Sequence, residues 1–409
     1  LAAGWLAVYL LALWDVETVL FTVPPGAEPL SVVLFNLLHY GRDTQVGALC
    51  LLLGMVAVAP LALGSSVWTA LRTRRASIGR VLAPSALVTL LATGPLGCSP
   101  EYRPAASAEV NSVLFSRVEV IGGRGTGPGL FNKPRSVAVD AQDCLYVVDM
   151  TGRVQKFGPD GRYLLHWQMP ETTQGRPKGM ARSARGIHVI EPHYHRLNEF
   201  DSAGRSLAQW GARGVEPGRL WFPRAVAPGL EGDCYISEYG KVERVQRFRA
   251  ADGSFLGGFG TAGSGPGQFN RPEGLGVDSQ GRVYVADSCN HRVQVFDREG
   301  RFLRTHGAAG QGPGQFSYPY DVQVDAQGRQ FVCEFGNSRV QVFDPGDRPL
   351  EVLGGPGRGP DRMNNPWSLC LDSSGNLYVA DSMNHRVLRW VRRRRRLARQ
   401  LRRGRSHAP

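Results

Sequence analysis

The chain has 409 residues, 42% of them hydrophobic, which is long enough for two or three domains and a sizeable core. Its 51 Gly and 27 Pro recur between short apolar runs, a distribution that excludes a mainly helical protein and favours many strands and turns. The formal net charge is +13, but ten Arg and no acidic residue lie between positions 389 and 405; the remainder carries only +3, so basicity alone does not point to a nucleic-acid partner.

The first hundred residues read as membrane sequence. Residues 46–71 form a run of 26 without a charge, where a helical span needs about 20. Arg72, Arg74, Arg75 and Arg80 follow at once, and by the positive-inside rule they hold that end in the cytoplasm. A second uncharged stretch, 81–100, ends in Leu96-Gly97-Cys98 and resembles a bacterial lipoprotein signal, in which Cys98 would be lipidated after cleavage. The other reading is a signal-anchor helix with Cys98 an ordinary thiol, and both send the rest of the chain out of the cytoplasm. Earlier, Glu17, the Pro24-Pro25-Gly26 break, Leu30-Ser31 and the Leu37-Leu38-His39-Tyr40-Gly41 run resemble the last part of the permease subunit of bacterial ABC importers of the iron(III) and thiamine type. The loop by which such permeases engage their ATPase is not present. With Leu as its first residue, the chain is expected to be a piece of a longer one, and import components are expected partners.

A polar linker leads at about residue 109 into a repeat. GTGPGLFNKP (125–134), GVEPGRLWFP (214–223), GSGPGQFNRP (263–272), GQGPGQFSYP (310–319) and GRGPDRMNNP (357–366) align, and a worn copy ends at Pro177. The closing prolines, at 134, 177, 223, 272, 319 and 366, are 43 to 49 residues apart, the period of a four-stranded propeller blade. In the fourth copy GLGVD, RVYVAD, RVQVFD and RFLRTHG read as strands and SCNH as a hairpin loop. The last copy lacks a fourth strand, whereas RVEVIGGRG (117–125) matches the fourth strand PLEVLGGPG (349–357); the first strand is therefore expected to complete the last blade. YVADSCNHRV (284–293) and YVADSMNHRV (378–387) resemble NHL repeats, and the resemblance, which covers 117–391, implies a six-bladed propeller; the fold expected is an all-β propeller over 109–391 behind the N-terminal transmembrane α-helices that the apolar runs predict. The remaining segments are a membrane fragment (1–71), a basic loop with the second hydrophobic segment and linker (72–108), and an Arg-rich tail (392–409).

An acidic residue ends the second strand of each unit and an Arg opens the third: Asp149 and Arg153, Glu191 and Arg196, Glu238 and Arg244, Asp287 and Arg292, Glu334 and Arg339, Asp381 and Arg386. A pair written into all six units reads as a structural cross-strand pair before it reads as catalysis. His195, His291 and His385 share one hairpin slot and could join only across the central channel; with Glu273 and Asp321, after the closing prolines, they are the candidate ligands for a divalent metal. The Cys show no zinc spacing, and no Gly-rich loop leads into a helix, so neither a metal cluster nor a phosphate loop is expected. The tail could meet anionic lipid headgroups or be solvated. The expectation is a bacterial, membrane-tethered, extracytoplasmic propeller that binds a protein or small molecule without a cofactor, with specificity in irregular segments 171–185 and 192–195; nucleic acid is not expected as a partner. A metal-dependent lyase or lactonase-like hydrolase is the alternative.

Overall fold

The computed structural model describes residues 107–393, which fold into six antiparallel sheets arranged around one axis. Blade 1 comprises Pro134–Val139, Leu145–Asp149, Arg153–Phe157 and Tyr163–Gln168. Blade 4 comprises Pro272–Val277, Val283–Asp287, Arg292–Phe296 and Phe302–His306, with a 3-10 turn at Ser288–Asn290 where a hairpin loop was expected. The innermost strands, opening with Pro134, Met180, Pro223, Pro272, Pro319 and Pro366, touch their neighbours in a closed cycle, the last against the first. The expected membrane segments, Cys98 and the tail beyond Arg393 lie outside the described residues, among which no helix is long and apolar enough to cross a membrane.

Alternation along the strands explains the packing. Side chains on each blade face enter a core shared with the adjacent blade, giving six buried clusters, one per blade junction. The aromatic or aliphatic residue of the repeated motif plugs five of them: Phe131, Leu220, Phe269, Phe316 and Met363 are each fully buried. The turn before it needs glycine: Gly307 has φ +99°, and a Cβ there would stand 2.4 Å from the Phe316 ring. Blade 2, with the worn motif, has an inner strand of only three residues, Met180–Arg182. Lys178 and Gly179 extend it through backbone bonds to Ile190.

The ring closes with the N-terminal strand, Phe115–Ile121, which pairs antiparallel with Arg386–Arg392 in register from Arg117↔Val391 to Ile121↔Val387. This strand begins two residues before the expected Arg117 and ends before the Gly122 turn. A short outer strand, Ala108–Glu109, caps its free edge. Glu351 of blade 5 anchors the approach by accepting hydrogen bonds from Ser112 Oγ and the Val113 amide.

Candidate functional site

The repeated acid–Arg pairs turn inward to their own blade's lead-in loop. In blade 4, Arg292 Nε is 2.8 Å from Asp287 Oδ2, while its remaining nitrogens donate to the carbonyls of Ser264, Gly265 and Gln268. Asp287 accepts in turn from the Asn270 amide. Arg244, Arg339 and Arg386 repeat this arrangement on Glu238, Glu334 and Asp381. In blade 1 the shorter hairpin leaves Arg153 3.7 Å from Asp149, and Arg153 holds the loop carbonyls more closely. In blade 2, where the loop is degenerate, Arg196 bridges Glu191 and Glu171. A Gln two residues after the Arg completes the clamp: Gln155, Gln246, Gln294 and Gln341 each accept from a loop glycine amide. That column is readable as the repeated Arg-Val-Gln and was not singled out in the sequence.

The three His of the hairpin slot do not converge. His195, His291 and His385 each adopt left-handed backbone and accept, at 3.2 Å on Nδ1, from the amide preceding the next blade's proline: Phe222, Tyr318 and Lys133 respectively. Glu243 and Ser338 fill the same role for Arg271 and Asn365. The slot therefore stitches blade to blade. Among the described residues no group of three or more His, Cys, Asp or Glu could hold a metal ion.

The channel mouth is different. The residue after each proline projects there: Arg135, Lys178, Arg224, Glu273, Tyr320 and Trp367 all line a cavity of about 350 Å³. Glu273, proposed from sequence as a metal ligand, is instead held by cations. Arg224 reaches it in a fork at 3.0 and 2.7 Å, Arg271 Nε at 2.7 Å, and Lys178 Nζ stands 3.3 Å away. Burial would raise the Glu273 carboxyl, but Arg224, Lys178 and Arg271 together hold it well below the usual range. A carboxylate whose charge three cations already answer, and which accepts three hydrogen bonds from two of them, is a poor ligand for a hard cation.

The ring's cations outnumber its carboxylates. Burial holds the Lys178 ammonium well below its ordinary pKa, and burial and Arg224 bring Arg135 down to about 9. Both lie over Trp367, at 4.1 Å and 4.6 Å from the ring centroid, and Lys178 also faces Tyr320. Arg224 and Arg271 flank Tyr239 in the same way. The positive field reaches the loop of blade 2, where burial and then Arg135 and Arg224 lower His193. Lys178 lies in the irregular segment 171–185 and His193 in 192–195, so both irregular stretches border the mouth.

Asp321, the other metal candidate, is one layer deeper than Glu273, not in register with it. Its layer is otherwise small: Ser136, Gly179, Ala225, Gly274 and Ser368. A Cβ on Gly274 would stand 2.4 Å from the Asp321 Cα, so the inner strands meet closely at this neck. Asp321 accepts from the Leu369 and Val322 amides, and burial raises its pKa to about 6. Among the described thiols, burial pushes Cys234 and Cys289 up to about 12 and Cys333 well above its usual value, which disfavours the thiolate there.

These features define an all-β propeller of six blades. The NHL repeat family model matches residues 269–296 and 363–390. NHL repeat-containing protein 3 of Mus musculus is 39% identical over 182 residues, covering 40% of this chain and 51% of that protein, and its Homo sapiens counterpart is 37% identical over 179. The chain thus spans about half the length of these curated relatives. Among solved structures, a gluconolactonase from Xanthomonas campestris superposes with a TM-score of 0.53 over 72% of this chain and 99% of that one, at 15% identity, a likeness of fold alone.

Proposed function

We propose that this chain is a binding scaffold: an NHL propeller, tethered to a membrane by its N-terminal segments and held on the extracytoplasmic side, that captures a small molecule or a protein at its channel mouth. The observation that carries this reading is where the repeats differ. The pairs, the Gln and the hairpin His are engaged in loops and blade junctions, whereas the six positions after the prolines read Arg, Lys, Arg, Glu, Tyr and Trp. Side chains that vary over a uniform frame are what selective capture at one end of a closed scaffold requires. A metal-dependent lyase or lactonase-like hydrolase would need convergent oxygen or imidazole ligands, and the channel-mouth carboxylate is instead bound by Arg224, Arg271 and Lys178. The tether rests on the uncharged run 46–71 and the Arg residues after it, and the permease-like residues before it favour a role in presenting or sensing an importer's cargo. The test is a stability screen of the purified chain against charged and neutral metabolites, followed by mass analysis of each ligand. A ligand that raises the melting temperature and is recovered unchanged supports a scaffold, while recovery of a cleaved or isomerised ligand refutes it. Cleavage by protease added outside intact cells checks the sidedness.

A further inference from the structure

The channel mouth holds two cations with a buried donor that makes no hydrogen bond, the Lys178 ammonium and the Arg135 Nε. Arg224 and Arg271 take up both oxygens of Glu273. Lys178 Nζ, within salt-bridge reach of the same carboxylate, forms no hydrogen bond, and neither does Arg135 Nε. Lys178 is only 5% exposed, so water does not answer its ammonium in bulk. Buried donors of this kind are costly unless something supplies an oxygen. Both cations lie over the Trp367 ring, Arg135 is near enough to act on the Lys178 charge, and Tyr320 stacked on Phe335 at 4.6 Å extends the wall with apolar surface. Arg135 and Trp367 are the ring members that keep partial exposure, which opens the site to solvent on that side.

Resting on the scaffold reading above, we propose that the mouth binds the carboxylate of a small organic acid, its oxygens between the Arg135 guanidinium and the Lys178 ammonium and its body against Trp367 and Tyr320. A guanidinium offers a planar fork that matches a carboxylate, and the ammonium adds a third direction. Phosphate shares the oxyanion chemistry, but the aromatic wall favours an organic body, which the mouth of a channel cavity of about 350 Å³ along the inner strands could admit.

The purified full chain is titrated by calorimetry with benzoate, succinate and inorganic phosphate at matched ionic strength. At least one of the two acids should bind saturably, and Arg135→Met and Lys178→Met should each weaken it about tenfold or more. Arg205→Ala, at an exposed side chain paired with Asp201, should leave it unchanged. Circular dichroism and melting curves establish that the variants fold. Absence of saturable binding by either acid, or binding indifferent to both substitutions, overturns the proposal; phosphate binding more tightly than both acids overturns the carboxylate assignment. If neither acid binds while an uncharged ligand from the stability screen does, the anion site falls and the scaffold stands, whereas turnover of a bound acid removes the scaffold reading itself.

Discussion

Replacing Glu273 by Gln removes the one carboxylate on which three cationic side chains of the channel mouth converge. Arg224 contacts it at 2.7 and 3.0 Å, Arg271 at 2.7 Å and Lys178 at 3.3 Å, and Glu273 is 1% exposed. At about 3 Å and an effective dielectric near 20, each contact supplies roughly 5 kcal/mol of attraction before desolvation and repulsion among the cations are subtracted. Deleting one partner of a buried ionic group leaves the others uncompensated at a net cost of about 3–5 kcal/mol. For a domain of this size that lowers the melting temperature by roughly 6–10 °C. Lys178→Met should have the opposite sign, raising the melting temperature by a few degrees, because Glu273 keeps both Arg partners and one desolvated cation disappears. The pH dependence follows from the depressed Glu273 pKa: a carboxyl held below its unfolded value of about 4.5 contributes stability above that pH and loses it as pH falls further. Glu273→Gln should therefore flatten the acid limb of the stability curve below about pH 4.5, read by urea unfolding across pH. A Gln variant that melts within about 2 °C of the parent, or a Met variant that melts lower than the Gln variant, would refute the electrostatic account.

Val118→Asp places a charge on the fully buried face of the closing strand and should cost about 4 kcal/mol or more, with aggregation as the sheet edge opens; size-exclusion and melting curves check it. Arg292→Lys keeps the charge but loses the fork that spans Asp287 and the carbonyls of Ser264, Gly265 and Gln268, at about 2–3 kcal/mol, with faster amide exchange confined to that loop. His291→Ala removes the acceptor for the Tyr318 amide and should cost about 1 kcal/mol, while a chelator should leave the parent's melting curve unchanged; a chelator-sensitive melt would restore the metal reading. Asp321, raised to about 6 chiefly by burial, binds its proton more tightly folded than unfolded, so it adds stability as pH falls from about 6 towards 3.8 and costs stability above. Asp321→Asn should remove that slope, so the difference in urea midpoint between variant and parent should change between about pH 5 and pH 8.

The scaffold was legible in the sequence because its determinants are local and repeated. The period of the closing prolines set the blades, and the likeness of 117–125 to 349–357 placed the N-terminal strand beside Arg386–Arg392, a pairing across more than 260 residues of chain. Blade 2 resisted because its lead-in loop lacks the motif that the Arg elsewhere clamps, so only its closing Pro177 aligned and Lys178 after it carried no signal of its own. The channel mouth was not legible as a site. Its members are one residue from each blade, of five residue types, and nothing in any one copy marks them. Taking Glu273 and Asp321 together as residues after the closing prolines joined two layers and hid the cations around Glu273. The residues found by periodicity are those every blade needs, and for that reason they hold loops and junctions. Selectivity must come from residues that periodicity does not predict, and a closed ring makes them find each other: the column after the proline brings six side chains of five residue types onto a common axis. A single worn repeat then matters more than five regular ones, because it is the copy that supplies the buried Lys178.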